Sequence, residues 1–217
     1  MNNIKYGLNS NVSTLKTVLL KNPQAAFKSQ KTIDLQWQDL NFIDKPDFKK
    51  SVTQYENFID ILNDNNVEIL YIPEDEITSL DSIYTHDPIF MTPNGAVIGN
   101  MGKTQRKPET IMMKNYLNEI GVPILGEIIN DATLEGGDVI WIDEKTVAAG
   151  LTYRTNNKGI DQLRKILSTI SIEVISVDLP HWNGPVDVLH LMSLISPLNE
   201  NLFLIYKKLL PISLLKL

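Results

Sequence analysis

Apolar and polar positions along this chain fall into blocks that recur about every 50 residues, a spacing typical of stacked repeats. Over residues 88–101 an apolar run reaches the turn signal Pro93-Asn94-Gly95 and returns through Ala96-Val97-Ile98, which predicts a hairpin. Over 109–120 the apolar residues Met113, Tyr116, Leu117 and Ile120 keep helical spacing until Gly121, which predicts a helix and its stop. A short strand is predicted over 122–125. The same order then returns, with a hairpin over 138–151 turning at Asp143-Glu144-Lys145, a helix over 157–169 marked by Ile160, Leu163 and Leu167, and a strand over 172–177. A third copy is predicted to begin at Val188 and run to Tyr206, turning at Asn199-Glu200-Asn201.

The N-terminal part is a looser copy of the same unit. It contains a strand over 17–21, a polar connection, a helix over 47–63 with Val52, Tyr55, Ile59 and Leu62 on one face, and a strand over 67–72. A unit of hairpin, helix and strand cannot bury its apolar face alone, so the copies are expected to stack. Residues 209–217 carry the apolar character of an entering helix, and the expectation is that the chain breaks off inside its last repeat.

Composition narrows the classes. A chain of 217 residues with 43% hydrophobic and 21% charged residues can bury a substantial core, and one large domain over 1–217 is expected. Its formal charge of −6 without a basic cluster argues against nucleic acid and anionic membranes as partners. No apolar leader or run of eighteen apolar residues stands in the sequence, so a cytoplasmic location is expected. The absence of cysteine excludes disulfides, thiolate metal sites and a cysteine nucleophile within these residues. The three histidines, at 86, 181 and 190, have no metal-ligand spacing, and no phosphate-binding glycine pattern occurs, so neither a metal nor a cofactor is expected. Ser193 and Ser196 lie in no nucleophile elbow.

Each clear repeat sets polar residues beside the first strand of its hairpin: Asp81 and Asp87 in the first, Glu135 and Asp138 in the second, His190 in the third. Equivalent positions of stacked units converge, so Asp87, Glu135 or Asp138, and His190 are expected around one centre: a cation pocket with a proton shuttle. Each residue also has a plainer reading. Asp87 before Pro88 is what a turn needs, Glu135-Gly136-Gly137-Asp138 could be a polar turn, and His190 among apolar neighbours could be a core histidine. Paired glycines beside two carboxylates do permit close backbone approach. His181 reads as a packed loop residue near the pocket rim, and 103–107 as a solvated loop unless Arg106 meets a ligand.

Taken together, Ser82-Ile-Tyr-Thr-His-Asp87-Pro88, Glu135-Gly-Gly-Asp138, Tyr153-Arg154-Thr155-Asn156 and Leu189-His190-Leu191 resemble, in order and spacing, the guanidine-modifying enzymes: dimethylargininases, arginine deiminases and amidinotransferases. The resemblance covers residues 16–206. It implies the pentein fold, a five-bladed α/β propeller of which this chain would hold about three and a half blades. It implies that Asp87 and Glu135 grip a guanidinium, with Asp138 beside them as a further substrate contact, and that His190 is the general acid/base. It further implies that Arg106 and Arg154 hold a substrate carboxylate and Asp81 an amino group. It also implies a nucleophilic cysteine in the last blade, which these residues lack. Two departures matter: His86 stands where deiminases commonly have arginine, and Met192 replaces the second aspartate of the His-x-Asp pattern, which leans the reading toward a dimethylargininase-like hydrolase. The expected activity is conversion of arginine or N-methylated arginine to citrulline plus ammonia or an amine, with this chain alone inactive. A guanidino-binding protein without turnover, or a gene fragment, are the alternatives. An uncovered sheet edge makes a homodimer a further expectation.

Overall fold

The computed structural model describes residues 6–185 and 189–216; Val188, where the third hairpin is expected to begin, and Leu217 lie outside them. The chain divides into two compact units, one of residues 14–85 and one joining 1–13 to 86–217.

The smaller unit pairs strand β1 (Thr17–Leu20) in parallel with β2 (Glu68–Tyr71). Between them run α1 (Pro23–Ala26), α2 (Gln30–Gln36) and α3 (Phe48–Asp64). The polar connection read from the sequence thus contains two short helices. Their start signals are local: Asn22 and Ser29 accept the N–H groups of Ala25 and Thr32, as capping side chains do, and Pro23 stands where a helix needs no N–H. Ile33, Phe27, Leu40 and Leu80 form this unit's core.

The larger unit repeats one topology twice. Strands β3 (Ile89–Thr92) and β4 (Gly95–Ile98) form a hairpin; α4 (Lys107–Glu119) follows, and β5 (Ile124–Glu127) returns parallel to β4. Likewise β6 (Val139–Asp143) and β7 (Thr146–Leu151) form a hairpin, followed by α5 (Asn157–Ser168) and β8 (Glu173–Asp178) parallel to β7. The first hairpin turns at Pro93-Asn94, where Gly95 takes φ +133° and its missing Cβ leaves room for the Pro123 carbonyl. The predicted hairpin-helix-strand unit is therefore present in both copies, with ends shifted by a few residues.

Both faces of the second sheet are buried, and its period-two alternation feeds two cores. Val139, Trp141, Val147 and Ala149 face Ile160, Leu163 and Leu167 of α5, and Phe90 stacks on Trp141 with ring centroids 5.5 Å apart. Ile140 and Ala148 face the other way, toward Leu191, Leu194 and Ile195. These belong to the third repeat, whose hairpin is β9 (Ile195–Asn199) and β10 (Leu202–Ile205). After it the expected helix does not form: the described residues make only short 3-10 turns at Lys207–Leu209 and Leu214–Lys216. Pro211 between them removes a backbone donor and disfavours helical geometry at Leu210. No helix among the described residues is long and apolar enough to cross a membrane.

Candidate active site

The strand starts of the three repeats in the larger unit supply one cluster. Asp87 lies two residues before β3, Glu135 precedes the 3-10 turn Gly136–Asp138 that leads into β6, and His190 caps the 3-10 turn Leu191–Ser193 before β9. One ligand atom from each of Asp87, Glu135 and His190 lies within 4.8 Å of the other two. The convergence expected from the repeat is present.

The double glycine makes this possible. The Gly136 N–H donates to the Asp87 carbonyl at 2.7 Å, and a Cβ on Gly136 would sit 2.3 Å from the carbonyl oxygen of His86. A Cβ on Gly137 would lie 2.3 Å from His190 Nδ1 and 2.8 Å from Asp87 Oδ1. No side chain fits in either place. His86 itself meets the Gly136 carbonyl through Nε2 at 3.2 Å and so ties the first strand start to the second.

Glu135 is 1% exposed and its carboxylate is fully engaged. Oε1 accepts the backbone N–H groups of Gly102 and Lys103 at 3.0 and 3.3 Å, and Oε2 lies 3.0 Å from His190 Nε2. The other ring nitrogen, Nδ1, faces Asp87 Oδ1 at 3.7 Å. Burial alone would push the imidazolium pKa down; the hydrogen bond to Glu135 and the charges of Asp138, Asp87 and Glu135 outweigh it and hold the pKa above 6.5. An imidazole whose protonated form is favoured between two carboxylates can hand a proton to a leaving group held there.

Arg106 joins the cluster from the start of α4. Far from lying in a solvated loop, it is 6% exposed. Its Nη1 donates to Asp87 Oδ2 at 2.6 Å, while Nε and Nη2 reach Glu109 at 2.9 and 2.8 Å. Burial opposes this charge, yet Glu109 and Asp87 together raise the pKa of Arg106 above its ordinary value. Glu109 has no part in the site as read from the sequence; the signal that could have found it is its spacing of three from Arg106.

Asp138 is turned elsewhere. Its Oδ2 accepts the hydroxyls of Thr152 and Thr155 at 2.8 and 2.7 Å, and its Oδ1 accepts the Leu191 N–H at 3.1 Å. It thereby fixes the turn that carries Arg154 and the residue next to His190. Burial pushes its carboxyl up to about 6. Arg154 lines a cavity of about 210 Å³ with Tyr153, His181 and Trp182, and its Nε is buried without a hydrogen-bond partner among the described residues. His181 bonds the Tyr153 hydroxyl at 2.6 Å on the rim. Met192 packs into the core under the third hairpin, and Asp81 is buried on the 3-10 turn Leu80–Ile83 of the smaller unit. Asp87, Glu135 and His190 offer donors that a divalent cation accepts, but those of Asp87 and Glu135 already receive N–H groups.

Known proteins resemble this chain in sequence and in fold. A family model described as arginine deiminase matches residues 77–215. An N(G),N(G)-dimethylarginine dimethylaminohydrolase of Streptomyces coelicolor is 28% identical over 158 residues, covering 72% of this chain and 57% of that protein. The enzyme of the same name from Pseudomonas aeruginosa is 29% identical over 123 residues, covering 57% of this chain and 48% of its own. This chain thus spans about half the length of these relatives. Among solved structures, a cysteine-to-serine mutant of that Pseudomonas aeruginosa enzyme in complex with citrulline superposes with a TM-score of 0.72 at 25% identity, over 88% of this chain and 69% of that one. An amidinotransferase of Microseira wollei shares the fold, with a TM-score of 0.73 at 14% identity, over 96% of this chain and 71% of that one.

Proposed function

This chain belongs to the arginine deiminase family, and on that premise we propose that Asp87, Glu135 and His190 form the guanidinium-binding and proton-transfer part of a hydrolase of guanidino compounds, turning arginine or N-methylated arginine into citrulline plus ammonia or an amine. The observation that carries the proposal is the placement of one imidazole between two carboxylates, at 3.0 Å from Glu135 and 3.7 Å from Asp87. Paired carboxylates suit a planar cation, because charge-assisted hydrogen bonds fix its plane and present its central carbon to attack. Met192, which cannot supply a further carboxylate, favours a dimethylargininase-like substrate range over that of arginine deiminases.

The chemistry has two halves. A thiolate adds to the guanidinium carbon, the C–N bond to the departing amine breaks, and His190 gives that amine its proton. Water then adds to the thiouronium carbon, neutral His190 takes the proton of the water, the C–S bond breaks, and the ureido group of citrulline is left. The 217 residues contain no cysteine. The thiol must therefore come from outside them, and this chain alone binds its ligand without turnover. In the reading proposed, the repeats are blades of a pentein propeller, with Arg154 toward the amino-acid end of the substrate.

Calorimetric titration with arginine and N-methylarginines, beside an assay for citrulline, tests the proposal. Saturable binding that Asp87→Asn weakens, without citrulline, is the expected result. Absence of binding by any guanidino compound would overturn the assignment, and citrulline release by this chain would overturn the need for a thiol.

A further inference from the structure

Glu135 is held at its backbone as well as at its carboxylate. Its N–H donates to the Thr155 hydroxyl oxygen at 3.1 Å, and that hydroxyl donates to Asp138 Oδ2 at 2.7 Å. Thr155 and Asp138 are both 0% exposed. The direction of this chain is fixed: an N–H only donates, so the one proton of the hydroxyl is left for the carboxylate. A second chain runs beside it. The N–H groups of Arg154 and Thr155 each donate to the Thr152 hydroxyl at 3.0 Å, and Thr152 donates to the same Oδ2 at 2.8 Å. Asp138 Oδ1 accepts the N–H of Leu191, the residue after His190. Two hydroxyls and one N–H aimed at one carboxylate favour its ionised form against the burial that opposes it, and hydrogen bonds in series strengthen one another.

We propose that Thr155 is a positioning residue of the site: its hydroxyl, shared between the Glu135 N–H and the Asp138 carboxylate, fixes the backbone of Glu135 and, through Asp138, the turn that His190 opens. For ligand binding the proposal rests on the guanidinium reading of Glu135; for His190 it needs no ligand. The groups that set the charge of His190 are Glu135, Asp138 and Asp87, with Arg106 on the other oxygen of Asp87. Of these, Glu135 and Asp138 are both tied to Thr155. Without the hydroxyl, the buried Glu135 N–H loses its acceptor, and Asp138 loses a donor that favours its charge. His190 then has less negative charge beside it, and its proton is held less tightly. Thr155→Val keeps the shape of the side chain and removes the hydroxyl; Thr155→Ser keeps the hydroxyl and removes a methyl. A residue that only fills space is better replaced by valine, and one that positions through its hydroxyl by serine.

Proton NMR titration of the His190 ring in the full chain is expected to show its proton affinity lowered about threefold to tenfold by Thr155→Val, and within about twofold of the unaltered chain in Thr155→Ser. Arginine binding, measured by calorimetry above the His190 transition so that no proton competes, is expected to weaken roughly fivefold in Thr155→Val and to recover in Thr155→Ser. Thermal melting shows that the proteins compared are folded. An unchanged His190 titration in folded Thr155→Val, or equal shifts in both variants, would overturn the proposal. Absence of arginine binding by all three proteins, with the His190 shift present, would overturn the guanidinium reading alone. On the unaltered chain, the Thr155 hydroxyl proton, shielded from water and held by Asp138, is expected to change its NMR shift as His190 titrates. A signal that stays fixed through that transition would overturn the coupling without any variant.

Discussion

Arg106 and Arg154 are expected, from the resemblance, to serve the same end of a substrate, yet the larger unit places them in opposite states. Arg106 is saturated by Glu109 and Asp87, whereas Arg154, equally buried, keeps Nε without a partner among the described residues and lines an open cavity. A buried N–H left unpaired costs about 1–3 kcal/mol, which a ligand acceptor would return. Residue type and spacing cannot separate the two; only the partners can. In the proposed reading Arg154 is the standing receptor for an anionic group, whereas Arg106 is tied into the carboxylate cluster.

The comparison is broken most severely by removing the space in which Asp87 and His190 meet. Gly137→Ala puts a methyl 2.3 Å from His190 Nδ1 and forces the ring or the carboxylate away. Arginine binding should weaken by up to roughly 100-fold, the upper end of about 1.5–3 kcal/mol for a charge-assisted hydrogen bond. The Arg154 cavity, on other residues, should persist. Calorimetry with arginine checks the first part and thermal melting the integrity of the fold; arginine binding within a few-fold of the unaltered chain would mean that the two side chains do not need this gap.

A smaller effect of a different kind is expected at Arg154. Its replacement by Met removes the unpaired donor and should weaken arginine by about tenfold, a charge-assisted contact of roughly 1.5–3 kcal/mol at most, while affecting methylguanidine far less. Replacement of Arg106 together with Glu109, which unties Asp87, should change arginine and methylguanidine alike. Parallel losses at both arginines would erase the distinction drawn between them.

Much of this site was legible because it follows the repeat. The spacing of the hairpins placed Asp87, Glu135 and His190 at corresponding strand starts, and Gly136-Gly137 announced a close approach that the distances bear out. What the periodicity could not disclose was partnership. Asp138, next to the glycines, looked like a second pocket carboxylate, but Thr152 and Thr155 offer hydroxyls from the turn after β7 and draw it away. The periodicity over 109–120 assigns Glu109 no role, because it says nothing about a buried arginine three residues earlier. The helix expected over 209–217 failed for a local reason, Pro211, which an apolar pattern does not weigh.

Asp138 links the two regions, since one oxygen fixes the Arg154 turn and the other the backbone beside His190. Its pKa is raised from 3.8 to about 6, so the folded protein holds this proton where the unfolded chain has lost it. The stabilisation it contributes is present at pH 4 and is lost as the pH rises to about 6, on the order of 3 kcal/mol at the limit. Asp138→Asn should flatten that part of a melting-temperature profile taken from pH 4 to 7; a parallel profile would show that the group titrates alike in both states.

The smallest predicted effect separates the regions by proton. His190 has its pKa raised above 6.5, so below that value Glu135 and Asp87 face an imidazolium as well as Arg106. A guanidinium entering there meets a like charge, and proton and ligand compete for the same carboxylates. Guanidino affinity should therefore increase a few-fold as the pH rises from about 6 through the His190 pKa, and methylguanidine, which engages only this side, should show the increase most cleanly. The same side chain sets the opposite slope for folding, since its stabilising charge is present below 6.5 and lost as the pH rises through the folded-state value. Proton NMR titration of the His190 ring, run beside calorimetry at each pH, measures both. A methylguanidine affinity flat across the His190 transition would place the bound guanidinium away from Glu135 and Asp87, and would leave Arg154 as the ligand-sensing part of the molecule.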